Sequence, residues 1–133
     1  MNTENPGNGI VTLPSSHAVG ETLDRLERLA TGRGLKIFAR VRFDQDAAAV
    51  GLTQLASELL LLGNPKAGTP LMQSVPAAGL DLPLKALVWE DAAGHTQIAY
   101  NDPQYIIRRH GLDAALAANL AAVVPLIERA ARD

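Results

Sequence analysis

The sequence predicts an α+β domain in which a mostly antiparallel sheet carries helices packed on one face, in the order β-α-β-β-α-β-β-α-α. Three observations carry that prediction. Apolar residues alternate with period two over residues 35–43 and run unbroken over Leu59-Leu60-Leu61-Leu62. They recur every three or four positions over residues 17–31 and 113–132. A turn-rich Asp91-Ala92-Ala93-Gly94 joins two short strand-like runs. A chain of 133 residues with 47% hydrophobic content suits one domain. We place that domain at residues 9–133, behind a flexible polar tail over residues 1–8.

Residues 9–14, Gly-Ile-Val-Thr-Leu-Pro, form a short apolar run closed by Pro14, which suits an edge strand because proline donates no ladder hydrogen bond. Ser15 and Ser16 offer caps for a helix from His17 to Thr31. Its inward stripe is Val19, Leu23, Leu26 and Ala30, and its wet side pairs Glu21 with Arg25 and Asp24 with Arg28. Gly32 and Gly34 end it. The next strand sets Leu35, Ile37, Ala39, Val41 and Phe43 on one face and Lys36, Arg40 and Arg42 on the other, with Phe38 the exception. This parity gives Phe43 a core-filling role.

After a loop over residues 44–53, the strand from Gln54 to Leu62 places leucine on both of its faces, so something must cover the second one. Gly63-Asn64-Pro65 breaks that strand, and Leu71, Met72 and Val75 fit a short helix opened by Asn64-Pro65 or by Thr69-Pro70. Leu84–Glu90 and Thr96–Tyr100 then form an antiparallel hairpin. Asp102-Pro103 reads as an N-cap with proline at the first helical position, and Gly111 stops that helix. The last helix, from about Asp113 to Arg132, carries the stripe Leu116, Leu120, Val123 or Val124, and Ile127, and Pro125 should kink it.

Composition excludes several functions. Two Phe, two Tyr and one Trp supply no base-stacking platform, and a formal charge of -2 supplies no net positive field, so no nucleic-acid partner is expected. The absence of cysteine removes disulfides, thiolate metal sites and thiol nucleophiles. No apolar run approaches the ~20 residues of a membrane helix, and the N-terminal stretch lacks a leader's basic and apolar regions, so a cytoplasmic protein without a membrane partner is expected.

Residues with chemistry cluster near the Gly63–Thr69 connection. Gly63-Asn-Pro-Lys-Ala-Gly68-Thr69 begins like a phosphate loop, but Thr69 and Pro70 stand where Lys and Ser or Thr are needed, and Pro65 and Pro70 lack donors. Asn64 and Thr69 read equally as groups that satisfy orphan N–H donors. Lys66 and Lys85 with Glu58, Asp81 and Glu90 form a charged set able to tune one another for proton transfer. Strand parity tempers this, since Glu90 falls with Leu84, Ala86 and Val88 while Lys85 falls with Leu87 and Trp89; structural ion pairs are the plainer explanation. His17, His95 and His110 have no metal-ligand spacing, and no serine sits in a nucleophile elbow. No metal and no cofactor are expected.

Three phrases in order, Glu58-Leu-Leu-Leu-Leu-Gly-Asn-Pro-Lys-Ala-Gly-Thr69, Leu80-Asp-Leu-Pro-Leu-Lys85 and Val88-Trp-Glu90 followed by Tyr100-Asn-Asp-Pro103, resemble the family called domain of unknown function 302. The resemblance runs from the first helix to about Leu112. It implies a fold like that of the TATA-box-binding protein, commonly in a dimer, with no assigned reaction or ligand; likeness to that DNA binder is of fold alone. The family often carries an Asp-His pair at the end of the second strand, where this chain has Arg42-Phe43.

The expected function is a non-enzymatic binding or assembly domain, a homodimer in which the second face of the leucine strand is buried against a partner or against another part of the chain. The alternative is a sensor or enzyme that holds an unidentified small molecule at loops 63–69, 81–85 and 101–103, gathered at one edge of the sheet. Asn64, Lys66, Thr69, Asp81, Lys85, Glu58 and Glu90 are its candidate ligand-binding residues, with no catalytic residue assigned.

Overall fold

The computed structural model describes residues 7–132. The tail expected over residues 1–8 lies outside the described residues except for Gly7 and Asn8, and Asn8 Oδ1 accepts the N–H of Ile10 at 3.0 Å. One five-stranded antiparallel sheet runs in the order β1-β5-β4-β3-β2, built from β1 (Ile10–Ser15), β2 (Lys36–Arg42), β3 (Ser57–Gly63), β4 (Leu84–Glu90) and β5 (Thr96–Asn101). The helices are α1 (Val19–Gly32), α2 (Phe43–Ala49), α3 (Pro65–Ser74), α4 (Pro103–His110), α5 (Ala117–Ala121) and α6 (Val123–Arg132). The α+β class and the helix-backed antiparallel sheet are as expected; α2, where a loop was expected, is an addition. β1, with its Pro14, is an edge strand.

The main core lies between the sheet and the pair α1 and α6. Leu23, Leu26 and Ala30 of α1 meet Ile127 and Ala130 of α6 over Leu60, Leu62, Ala86, Val88 and Ile98, all fully buried. Burial of such side chains contributes about 1.5–3 kcal/mol each. A second cluster of Leu71, Ala78, Ile106, Ile107, Leu112, Ala117 and Leu120 fills the space among α3, α4 and α5.

Several local expectations need correction. The cap of α1 is Ala18 without a side-chain bond, because Ser15 Oγ is engaged with Thr22 Oγ1 at 2.7 Å and with the N–H of His17 at 3.2 Å. The expected Glu21–Arg25 and Asp24–Arg28 pairs give way to tertiary partners: Arg25 Nε donates to the carbonyl of Ala130, and Asp24 bonds Arg40. A bulge between Ile37 and Ala39 shifts the register of β2 against β3. From Phe38 onward the two faces exchange, which brings Arg40 to the helix side and leaves Ala39 and Val41 on the other. Phe43, expected in the core, opens α2 and is 39% exposed.

The C-terminal helix is interrupted at Ala122, one turn before Pro125, whose missing N–H and ring exclude the bond to Ala121. By length and composition alone the helical stretch Ala114–Arg132 would qualify as a membrane span, contrary to the expectation that no run comes near. Its Leu120, Val123, Leu126, Ile127, Ala130 and Ala131 are nevertheless buried within the protein.

The helices α1 and α6 leave the opposite face of the sheet uncovered. It presents Val41 from β2, Leu59 and Leu61 from β3, Lys85, Leu87 and Trp89 from β4, and Gln97 and Ala99 from β5, by the strand registers. The leucine strand is therefore asymmetric: Leu60 and Leu62 are fully buried while Leu59 and Leu61 are only partly covered.

Candidate functional site

β3 ends at Gly63 beside the start of β4, and the chain must turn there into α3. Asn64 makes that turn by accepting the N–H of Lys66 on its Oδ1 at 3.0 Å, with Pro65 at the first helical position. Of the two possible openings the Asn64-Pro65 one is used, and Pro70 lies inside the helix. The bulge in β2 throws Phe38 toward the same corner, where its ring stands 3.9 Å from the point a Cβ on Gly63 would occupy.

These elements line an open pocket of ≈ 320 Å³, bounded by Phe38, Gly63–Thr69 except Lys66, Met72, Leu82, Pro83, Leu84, Asn119 and Leu120. That volume is at the lower end of the roughly 300–1,000 Å³ typical of ligand pockets. Two of the three expected loops meet here. The third, residues 101–103, ends at the same edge of the sheet but does not line the cavity, because Asp102 caps α4 by accepting the N–H of Gln104 at 3.0 Å.

Of the candidate ligand-binding residues, the structure brings together Asn64 and Thr69 at the cavity. Lys66 is exposed beside it, outside the lining. Asp81 is occupied elsewhere: its carboxylate meets His110 Nε2 at 2.6 Å and Arg109 at 3.1 Å, joining the 3₁₀ turn Pro76–Asp81 to the end of α4. Lys85 stands on the open sheet face, its Nζ donating to the carbonyl of Pro83 at 3.3 Å. Glu90 borders a polar hollow of ≈ 570 Å³ with Ser15, His17 and His95, where His17 Nε2 is buried without a hydrogen-bond partner among the described residues.

Glu58 belongs to a separate cluster. Its Oε1 accepts from Arg40 Nε at 2.7 Å, and Arg40 also reaches Asp24 at 2.7 Å, Glu27 at 2.6 Å and the carbonyl of Gly20 at 3.0 Å. Burial works against the guanidinium's charge, but the bonds to Asp24, Glu58 and Glu27 outweigh it and hold the Arg40 pKa well above its ordinary value. The cluster ties β2 and β3 to α1 with a permanent cation, which is a structural arrangement. Among the described residues no three His, Cys, Asp or Glu side chains come together as metal ligands.

The lining residues that lie outside the expected loops are Phe38, Met72, Asn119 and Leu120. Two had a signal. Phe38 breaks the alternation of its strand, and Asn119 is the one polar residue between Asp113 and Glu128. Asn119 Nδ2 donates to the carbonyl of Ala67 at 3.0 Å, which pins α5 against α3 at the cavity wall.

A solved structure from Bacillus stearothermophilus, described as an uncharacterized conserved DUF302 protein, superimposes with a TM-score of 0.77 over 94% of this chain and 97% of that one, at 21% identity. At that identity the likeness is one of fold. Two curated relatives, from Brucella suis and Brucella abortus, are each 39% identical over 129 residues and are named fluoride-specific ion channel FluC 1. The match covers 94% of this chain, and the chain spans about half the length of those relatives, 51% and 48%. The profile of the family "Domain of unknown function DUF302" matches residues 11–130. With nearly the whole folded region inside that match, the chain belongs to the DUF302 family.

Proposed function

We propose that the chain is a non-enzymatic assembly module that pairs with a second copy of itself through the uncovered face of its sheet. The observation that supports this reading is the row Val41, Leu59, Leu61, Leu87 and Trp89, only partly buried on the face that α1 and α6 leave uncovered. Lys85 lies within that face and Lys36 at its β2 edge, both cations, so the two copies must be offset to keep their ammonium groups apart. Five strands about 4.8 Å apart and roughly six residues long span about 500 Å². Two copies then bury about 1,000 Å², the lower bound for a specific interface. Among the described residues the pocket at the Gly63–Thr69 edge has no ionisable side chain in its lining, hence no general acid or base there, which supports the non-enzymatic reading.

Sedimentation equilibrium across a range of concentrations tests the proposal. Wild type should be dimeric, and Leu61→Lys should be monomeric with an unchanged circular dichroism spectrum. A wild type that stays monomeric at the highest concentration removes the idea.

The channel names of the Brucella relatives do not transfer. An open sheet has unpaired edges, which hydrocarbon does not tolerate. The chain matches only about half of those proteins, 51% and 48%. A second reading, small-molecule sensing, is favoured by the cavity itself. Thermal-shift screening of metabolites against wild type and Asn64→Ala separates the two, since a ligand held only by the folded state raises its apparent stability.

A further inference from the structure

We infer that the cavity at the Gly63–Thr69 edge takes an uncharged, largely apolar small molecule carrying a single hydrogen-bonding group. The inference rests on the small-molecule reading of that cavity and adds the chemistry of its occupant. It also departs from the sequence-based expectation that charged residues would orient a ligand there.

The space is kept open by glycines that nothing else requires. A Cβ on Gly63 would lie 3.9 Å from Phe38 and one on Gly68 would lie 3.7 Å from Leu82, both ordinary contact distances, and neither residue has a positive φ. Gly68 lies inside α3, where glycine is less favourable than alanine. Crowding and backbone conformation therefore do not account for it, whereas a larger side chain would occupy the void.

The walls then decide the charge. Among the described residues the lining carries no ionisable side chain. Lys66 is exposed outside it, and Lys36, which is not in the lining, places its Nζ over the ring of Phe38, 4.9 Å from the centroid. An ion held against these walls would give up part of its water without meeting a counter-charge in the lining. The polar groups available are neutral. Asn64 has given its Oδ1 to the N–H of Lys66, which leaves its Nδ2 as a donor. Asn119 has given its Nδ2 to the carbonyl of Ala67, which leaves its Oδ1 as an acceptor. The hydroxyl of Thr69 completes the set. A donor, an acceptor and a hydroxyl on an apolar wall suit one alcohol, ketone or amide group on a hydrocarbon body.

Two fluorescent probes with one skeleton test this: neutral N-phenyl-1-naphthylamine and 8-anilinonaphthalene-1-sulfonate, which adds a sulfonate. Wild type should bind the neutral probe at least about tenfold more tightly. Gly68→Leu, which fills the void, should weaken neutral-probe binding by about tenfold without lowering the melting temperature. Met72→Trp, at a partly exposed wall position, serves the same purpose if Gly68→Leu fails to fold. Leu61→Lys, on the open sheet face, should leave binding unchanged. Tighter or equal binding of the sulfonate, blocked by Gly68→Leu, would retain the site and overturn the uncharged class. Binding insensitive to both filling variants, or lost in Leu61→Lys, would overturn the site as well. No binding of the neutral probe would overturn the inference.

Discussion

At the scale of single residues, Arg40 shows how one side chain changes role when a register shifts. Its guanidinium is 14% exposed and holds three carboxylates, of which Glu58 is equally enclosed and Asp24 is more than half exposed. Arg40→Met should cost about 2 kcal/mol in urea denaturation, discounted for the screening of Asp24, because it leaves like charges facing one another. The loss should shrink in high salt, which screens that repulsion. Arg40→Lys should recover only part of it, since an ammonium lacks the planar fork that reaches Asp24, Glu27 and Glu58 together. Asp91 supplies a pH-dependent counterpart. Bonds from the backbone N–H of His95, from Gln97 and from the N–H of Ala93 hold its carboxyl below the usual 3.8. Its support for the β4–β5 turn is thus present above the ordinary carboxylate range and is lost as pH falls through the depressed folded value. Carboxyl NMR should record a pKa below 3.8 for Asp91, and Asp91→Ala should flatten the acid limb of the stability profile.

At the scale of elements, the β2 bulge and the opening of α3 together build the cavity corner. Asn64→Ala removes the acceptor for the N–H of Lys66 and should destabilise the fold by about 1 kcal/mol, measured by thermal or urea unfolding. Most elements were legible in the chain because their signals are local. Asp102-Pro103 and Gly111 bound α4 as expected, with Gly111 in the left-handed conformation at φ 63°. Asp91–Gly94 turns the hairpin, and Pro125 breaks the last helix. The bulge was not legible, because Phe38 broke the alternation without saying which register each half of the strand would take against β3. The cavity was legible only in part for a related reason. Asn64 and Thr69 announced themselves by type, whereas Leu82, Leu84 and Leu120 are ordinary apolar residues until the fold places them around one void.

At the scale of the molecule, the leucine strand separates two kinds of burial. Leu60→Ala should cost about 3 kcal/mol, because Leu60 is fully enclosed between the sheet and its helices and its removal leaves a void. Leu61→Ala should cost less than about 1 kcal/mol when the protein is dilute, since its face is open. If copies pair through that face, the cost of Leu61→Ala should rise with protein concentration, which a denaturation series at several concentrations reads directly.

The amino-acid order alone determined the number and sequence of the strands, the helices that back them, the caps and breaks that bound most of them, and the two-sided character of residues 59–62. Those features follow from periodicity and from the backbone preferences of proline, glycine and asparagine, which act over a few residues. Only the tertiary structure decided that Arg40 turns inward, that Phe43 stays outside the core, that Asp81 pairs with His110, and that the cavity wall is neutral. Each of these depends on which residues distant in the chain are brought within a few ångströms, and a spacing along the sequence carries no record of that distance.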